Sequence, residues 1–254
     1  MLVVNQGTGA AAIWKRTGEP ISRAMRQQGK VSAARLIDDE KRFAVLFSDP
    51  PTLYLGDVQL GDVQARESDA ILPLPFEAYR GVISASGNLL ATGKNNDIQL
   101  WDVQKRKVRA VLQHKNKLFS FAFSRDGRFI ASGASDNIVR LFDTSTGKLL
   151  AEMAGHGKGK IFLASAVYSL SFSPNGEWLA SGGHDGRVMV WDTKTYKPIM
   201  QTKIAGPPIV CSVAFSSDSK LVAGSFENAN GKRGIRVWEV VLDDDLKKGR
   251  SGQR

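Results

Sequence analysis

Short runs of alternating hydrophobic and polar positions recur along this chain, and each run is bounded by residues that favour turns. In residues 119–124 phenylalanine alternates with serine and alanine, which is the period of a strand with one buried face. Residues 125–127, Arg-Asp-Gly, then supply turn chemistry. Residues 129–133 and 138–142 predict two further strands, and residues 148–150 predict the start of a fourth. Short strands of about five residues, with a turn about every 8–12 residues, indicate an all-β domain.

The same order of strands and turns returns in other parts of the chain. It is repeated in residues 80–112, 165–200 and 208–241 and, more loosely, in residues 31–58. Each repeat ends in an aromatic-acidic pair or in a weaker variant of one: Trp101-Asp102, Phe142-Asp143, Trp191-Asp192 and Trp238-Glu239, then Trp14-Lys15 and Gly56-Asp57. A period of about 40–45 residues that ends in Trp-Asp is typical of four-stranded propeller blades.

These residues resemble the WD-repeat β-propeller family over about residues 1–243. The resemblance implies an all-β fold, a β-propeller of four-stranded antiparallel blades, with about five and a half blades of a roughly seven-bladed propeller. The implied segments are a half blade at residues 1–22, blades at about 31–65, 76–113, 114–152, 155–202 and 208–243, and a disordered tail or linker at 244–254.

The two ends of the chain do not predict a simple closure of such a ring. Residues 3–5 align on the second strand of the repeat at 114–152, so we expect the chain to enter halfway through a blade with its two inner strands absent. The last repeat is expected to complete its own blade. Closure matters because it leaves no unpaired strand edge. We therefore expect an upstream segment of a longer polypeptide to complete the ring; an open ring, or closure by a second chain, are the alternatives.

The resemblance also implies two structural hydrogen-bond sets. In this family a Gly-His precedes each blade, and its histidine is joined to a Ser or Thr, an Asp and the Trp. One repeat has all four residues: His156, Ser181, Asp185 and Trp191. Another has three of them, His114, Ser132 and Asp136, together with Phe142, which has no indole N–H to donate.

Candidate catalytic, cofactor and metal sites find little support. Ser, His and Asp are the residue types of a hydrolase triad, but the trio recurs at equivalent positions of two repeats, which indicates a structural role. The segment 155–160 resembles a phosphate loop, but Ala154 stands where its first glycine belongs and Ile161 where its Ser or Thr belongs. His184 is predicted to be a turn histidine, because the chain has only three histidines and no metal-binding spacing. We predict no enzyme activity, no cofactor and no metal.

Two loops are longer than their counterparts and carry basic residues. One lies between His156 and Val167, and the other spans residues 226–234. By resemblance both open on the same, top face of neighbouring blades, and long loops on rigid scaffolds are where binding residues tend to lie. The hypothesis is one partner-binding patch of basic residues and apolar anchors: Lys158, Lys160, Phe162, Phe226, Lys232 and Arg233. Two tolerated insertions without function are the alternative.

The composition indicates which partners and which cellular compartment suit the chain. The 254 residues carry a formal net charge of +10, which favours anionic partners. The single cysteine, Cys211, lies in an apolar run, is expected to be buried, and fits a reducing compartment. No apolar run reaches the roughly 18 residues of a membrane span.

We therefore predict a cytoplasmic, non-catalytic scaffold that binds a protein or peptide through the top face of the propeller. Two alternatives stay open: the sensor or recruiting half of a larger multidomain effector or regulatory protein, and a nucleic-acid-associated subunit that uses its basic surface.

Overall fold

The structure is a computed structural model that describes residues 2–5, 10–13, 25–26, 31–37, 42–48, 51–57, 72–73, 80–94, 96–157, 166–204, 209–228 and 230–241. The chain forms two compact units, Met1–Gln113 and His114–Arg254. The predicted tail at residues 244–254 lies outside the described residues.

The first unit contains three antiparallel sheets in which strands that follow one another in the chain pair with one another. The first has three strands: β1 (Leu2–Asn5), β2 (Ala10–Ile13) and β3 (Met25–Arg26). The second has four: β4 (Val31–Ile37), β5 (Arg42–Ser48), β6 (Pro51–Asp57) and β7 (Leu72–Pro73). The third also has four: β8 (Gly81–Ile83), β9 (Leu89–Lys94), β10 (Asp97–Asp102) and β11 (Lys107–Leu112).

The second unit repeats the same up-and-down arrangement. Its first sheet comprises β12 (Leu118–Phe123), β13 (Phe129–Ala134), β14 (Ile138–Asp143) and β15 (Leu149–Ala154). Its second comprises β16 (Val167–Phe172), β17 (Trp178–Gly183), β18 (Arg187–Asp192) and β19 (Pro198–Lys203). Its third has three strands among the described residues: β20 (Ile209–Phe215), β21 (Leu221–Glu227) and β22 (Arg233–Glu239).

These sheets correct the predicted blade count. The described residues form five blades, one for each of the five full repeats, in place of about five and a half. At the start of the chain β1–β3 form a small sheet of three strands, so the expected half blade without two inner strands is wrong. The structure describes three strands of the last blade, β20–β22, and residues 242–254 lie outside the described residues, so the expected completion of this blade stays a prediction. A ring of roughly seven blades stays a prediction.

Apolar packing between successive blades forms the core of each unit. In the second unit, Val139 and Leu141 on β14 pack with Val167, Leu179 and Trp191 of the following blade. The next pair of blades repeats this packing through two valines of β18 and two of β20. Each such buried aliphatic side chain stabilises the fold by about 1.5–3 kcal/mol, so a blade is held chiefly by the face that its successor covers.

The first strands of the second unit share an irregularity. The pairing register shifts at the same place in β12, β16 and β20, which leaves Phe119, Tyr168 and Cys211 as bulged residues. A bulge inserts one residue and turns its side chain away from the regular alternation. Cys211 is consequently exposed, and its predicted burial is wrong.

Candidate interaction surface

One blade contains a continuous series of buried side-chain hydrogen bonds. The Nε1–H of Trp191 donates to Ser181 Oγ at 2.8 Å, and Ser181 Oγ lies 2.8 Å from His156 Nε2. His156 Nδ1 lies 3.1 Å from Asp185 Oδ1. Because a carboxylate only accepts, Nδ1 carries the proton and the Ser181 hydroxyl donates to Nε2. The four residues implied by the sequence are therefore linked in the order Trp, Ser, His, Asp.

Asp185 extends this network to the loop that leads into the blade. Its Oδ2 accepts from the backbone N–H of Gly157 at 2.7 Å, and its Oδ1 accepts from the N–H of Arg187 at 3.1 Å. Burial alone would raise the pKa of Asp185, but the hydrogen bond from His156, and then those from these backbone groups, hold its pKa below the usual range. The carboxylate thus stays charged and fixes the chain at Gly157.

The blade at β12–β15 has a variant of the network. His114 Nε2 lies 3.0 Å from Ser132 Oγ, and the ring of Phe142 meets the His114 ring edge-on at 5.6 Å. Asp136 accepts from Arg140 Nη2 at 2.7 Å. Burial would raise the pKa of Asp136, but Arg140 outweighs it and holds the pKa low. An ion pair between Asp136 and Arg140 thus ties the second turn of this blade to β14.

A third blade has a smaller set, a single side-chain hydrogen bond, which was not predicted from the sequence. Trp101 Nε1–H donates to Thr92 Oγ1 at 3.0 Å inside the blade at β8–β11. The signal was in the sequence, because residues 91–93 read Ala-Thr-Gly where residues 131–133 and 180–182 read Ala-Ser-Gly. Threonine supplies the same hydroxyl acceptor as serine, so this blade keeps part of the network without a histidine.

The Ser181–His156–Asp185 order matches that of a hydrolase triad, but its surroundings do not. Ser181 is fully buried, and its hydroxyl already accepts from Trp191 while it donates to His156. A nucleophile must reach its substrate beside groups that stabilise an oxyanion. In this structure no substrate atom can reach the Ser181 hydroxyl, so the trio acts as an internal brace of the blade.

His184 occupies a turn, where its ring lies 5.8 Å from that of Tyr168. Burial lowers its pKa, and nearby Asp185 only partly opposes this. Within the described ranges no group of three or more His, Cys, Asp and Glu residues is placed to hold a metal ion. Likewise, the described part of the chain has no helix long and apolar enough to cross a membrane.

The first predicted loop is fixed at both ends. Lys158, Lys160 and Phe162 lie outside the described residues. Before them, Gly157 is bonded to Asp185, and after them the carbonyl oxygen of Ala166 accepts from the N–H of His184 at 3.0 Å. The loop therefore leaves and re-enters the blade beside the turn that joins β17 to β18.

The second predicted loop is a turn closed by Asn228. The Oδ1 of Asn228 accepts from the backbone N–H of Lys232 at 2.9 Å, and Lys232 is exposed. Arg233 is also exposed, but its Nε pairs with Glu227 Oε2 at 2.9 Å. Phe226 is half-buried and packs against the core between the last two blades. Of the three described patch residues, Lys232 and Arg233 are exposed cations, and Phe226 is in part a core residue.

Antiparallel pairing relates the ends of the two loops. In an up-and-down sheet, the turn between the second and third strands lies at the same end as the connection into the first strand. The turn at residues 228–232 and the loop ends at Gly157 and Ala166 therefore lie at corresponding ends of neighbouring blades. The first strands of these blades are joined side by side, because the N–H of Val213 donates to Ser169 Oγ at 3.0 Å.

An aromatic row, defined here as Phe119, Tyr168 and His184, lies at the same end of the unit. The rings of Phe119 and Tyr168 meet edge-on at 5.1 Å, and Lys117 Nζ lies 5.4 Å from the centre of the Phe119 ring. Bulges in β12 and β16 bring the two aromatic side chains together. Sequence reasoning missed this row; the only signal is that each bulged aromatic residue directly precedes a serine, Ser120 or Ser169.

Comparison with known proteins agrees with this architecture. The family described as WD domain, G-beta repeat matches residues 106–143 and 147–192, which include the aromatic-acidic ends of β14 and β18. No curated protein matched the chain. The family match, the antiparallel blades and the buried hydrogen-bond sets lead to one conclusion: residues 106–192 consist of WD repeats, within a chain that has a β-propeller arrangement.

Proposed function

We propose that the protein is a non-catalytic scaffold that binds a protein or peptide partner at the top face of its C-terminal blades. The contact residues of this proposal are those of the patch: Lys158, Lys160, Phe162, Phe226, Lys232 and Arg233. The observation that carries it is the hydrogen bonding of Gly157 and Ala166, which flank residues 158–165 and lie beside the aromatic row.

The arrangement combines three properties of a binding surface. The buried network behind Asp185 keeps the base of the loop rigid, which reduces the ordering cost of binding. Tyr168 and Phe119 add partly accessible aromatic area, and aromatic residues are frequent energetic centres of interfaces. The basic loop residues, within a chain of net charge +10, attract an acidic partner and speed its encounter.

A charge-reversal experiment tests the proposal. Lys158, Lys160, Lys232 and Arg233 are replaced together by Glu, and the affinity of partners captured by the wild-type protein is measured by calorimetry. We expect binding to be lost. Full binding by this variant would overturn the proposal.

The matched control reverses four exposed cations at the opposite end of the blades β12–β15 and β16–β19: Arg125, Lys148, Lys194 and Lys197. This control changes the net charge by the same amount but leaves the patch intact. We expect it to bind the partner normally. Equal loss in both variants would mean that net charge, rather than the patch, governs binding.

The net charge of +10 favours one second candidate, association with nucleic acid. Phosphate contacts release counterions, so such binding weakens steeply with salt. Titration of the protein with a labelled RNA duplex at two salt concentrations separates the candidates. Micromolar, strongly salt-dependent binding that both variants weaken alike would favour the nucleic-acid role over the scaffold.

A further inference from the structure

Within the part of the chain that the structure describes, the last blade has an open edge. In the two preceding blades the third strands, β14 and β18, pair on their far side with the fourth strands β15 and β19. Among the described residues, β22 pairs with β21 alone. An open edge presents backbone N–H and C=O groups that an additional strand can bind.

The side chains of β22 are exposed where their counterparts are buried. Aligned on the ends Phe142-Asp143 and Trp238-Glu239, Ile235 corresponds to Val139 and Val237 to Leu141. Ile235 and Val237 are 73% and 57% exposed, whereas Val139 and Leu141 are 0% and 1% exposed. Val139 and Leu141 are covered by the following blade and also by Met153 and Ala151, which lie opposite them on β15. An added strand at β22 would therefore cover only part of the apolar area of Ile235 and Val237.

Arg236 indicates what such a strand must contain. It aligns with Arg140, whose Nε bonds Glu152 Oε1 at 2.8 Å. Glu152 lies directly opposite Arg140 on the fourth strand, with Ala151 and Met153 on either side of it. Arg236 is exposed and lies over the Phe226 ring at 5.9 Å. The last blade thus has the arginine of this cross-strand pair without its carboxylate.

We propose that the edge of β22 binds an extended segment of a partner protein as a fourth blade strand. The segment carries an acidic residue opposite Arg236, flanked by apolar residues opposite Ile235 and Val237. The segment Ala151-Glu152-Met153 on β15 is an example of this apolar-acidic-apolar pattern within the same molecule. The proposal goes beyond the proposed function, because it concerns the side edge of the last blade rather than the basic loops.

Two further observations favour a partner segment of this chemistry. A shallow groove of about 440 Å³ borders the start of β22, between Ile235, Ser225 and Cys211, and has room for an apolar side chain. A second copy of β22 fits less well, because antiparallel pairing centred on Arg236 sets two arginines opposite each other. Like charges directly opposite destabilise a strand pair.

A charge-swap experiment with peptides tests the proposal. The probe is a fluorescent peptide with the sequence of residues 148–155, and a second peptide carries Lys in place of its Glu. Binding to the wild-type protein, to Arg236→Glu and to the exposed control Arg125→Glu is followed by anisotropy. The R236E variant also distinguishes binding at β22 from exchange with the protein's own β15.

We expect the wild-type protein and R125E to prefer the Glu peptide by about two- to fivefold, and R236E to reverse this preference. If the peptide does not bind the wild-type protein, the proposal is overturned. This result would be obtained if residues 242–254 of the chain itself filled the edge. An unchanged preference in R236E, or light scattering that shows the edge occupied by a second copy, would also overturn the proposal. None of these variants alters the patch charges, so failure here leaves the proposed function standing.

Discussion

The indole N–H of Trp191 donates to Ser181 Oγ at 2.8 Å, and both residues are almost completely buried. The same hydroxyl is bonded to His156 at 2.8 Å. One oxygen atom therefore joins β17, β18 and the segment that leads into β16. At the equivalent place in the preceding blade, Phe142 offers no donor and Ser132 is bonded to His114. The two blades provide an internal comparison of the same network with and without its indole bond.

Ser181→Ala is expected to lower the free energy of unfolding by about 2–4 kcal/mol, because it leaves two buried groups, Trp191 Nε1–H and His156 Nε2, without this partner. Ser132→Ala is the matched control and should cost about 1–2 kcal/mol, because one side-chain hydrogen bond, that between Ser132 and His114, is lost. Urea unfolding followed by tryptophan fluorescence measures both. Equal losses in the two variants would contradict the role given to the indole bond.

Asp185 makes the stability of the second unit depend on pH. Its pKa in the folded protein lies below the ordinary value of 3.8. Its contribution is therefore fully present above about pH 5 and is lost as the pH falls through 3.8 towards the lower folded pKa. We expect Asp185→Asn to be less stable at pH 7 and to lose less further stability than the wild-type protein between pH 5 and pH 3. Glu239→Gln, at an exposed strand end, is the control; urea midpoints at each pH give the result. An identical pH dependence in D185N and the wild-type protein would oppose this role.

The strands and turns were predicted well from the sequence where the same residue types recur at equivalent positions of the repeats. Aromatic-acidic ends, Gly-containing turns and the Gly155-His156 pair each have a direct physical role, so their residues identify strands and the buried network. The bulges at Phe119, Tyr168 and Cys211 were not predicted, because one inserted residue leaves the alternation on either side unchanged. Burial of Cys211 was predicted wrongly for the same reason, and because nothing in the described structure covers the last blade. The edge of β22 was missed because pairing on its far side is not a local property of its sequence.

The aromatic row makes a prediction about partner binding. Tyr168→Ala should weaken the partner's affinity by roughly tenfold, since a partly exposed aromatic residue at an interface is a frequent energetic centre. Tyr168→Phe keeps the ring and should bind within about twofold of the wild-type protein. Calorimetric titration with the captured partner, alongside urea unfolding of each variant, separates binding from folding. If Y168A folds and binds normally, the row lies outside the interface.

Close packing between the last two blades gives a prediction about stability. A Cβ atom on Gly182 would lie 2.5 Å from Val210 Cγ1 and 2.9 Å from Val213 Cγ1, both on the following blade. Gly182→Ala should therefore cost about 1–3 kcal/mol through overpacking. Gly157→Ala is the control, because its Cβ would meet only Arg187 side-chain atoms at ordinary distances of 3.6 Å or more. Urea unfolding of the two variants checks this; a G182A protein as stable as G157A would show that the blades are not held this closely.

Site-specific photo-crosslinking tests whether a partner binds at the loop end of the C-terminal blades. Benzoylphenylalanine is placed at position 162 in the basic loop and, separately, at position 194 in the turn at the opposite end of the same blade. We expect the partner to be crosslinked from position 162 and not from position 194. Crosslinking from position 194 alone, or equal yields from both positions, would contradict this expectation.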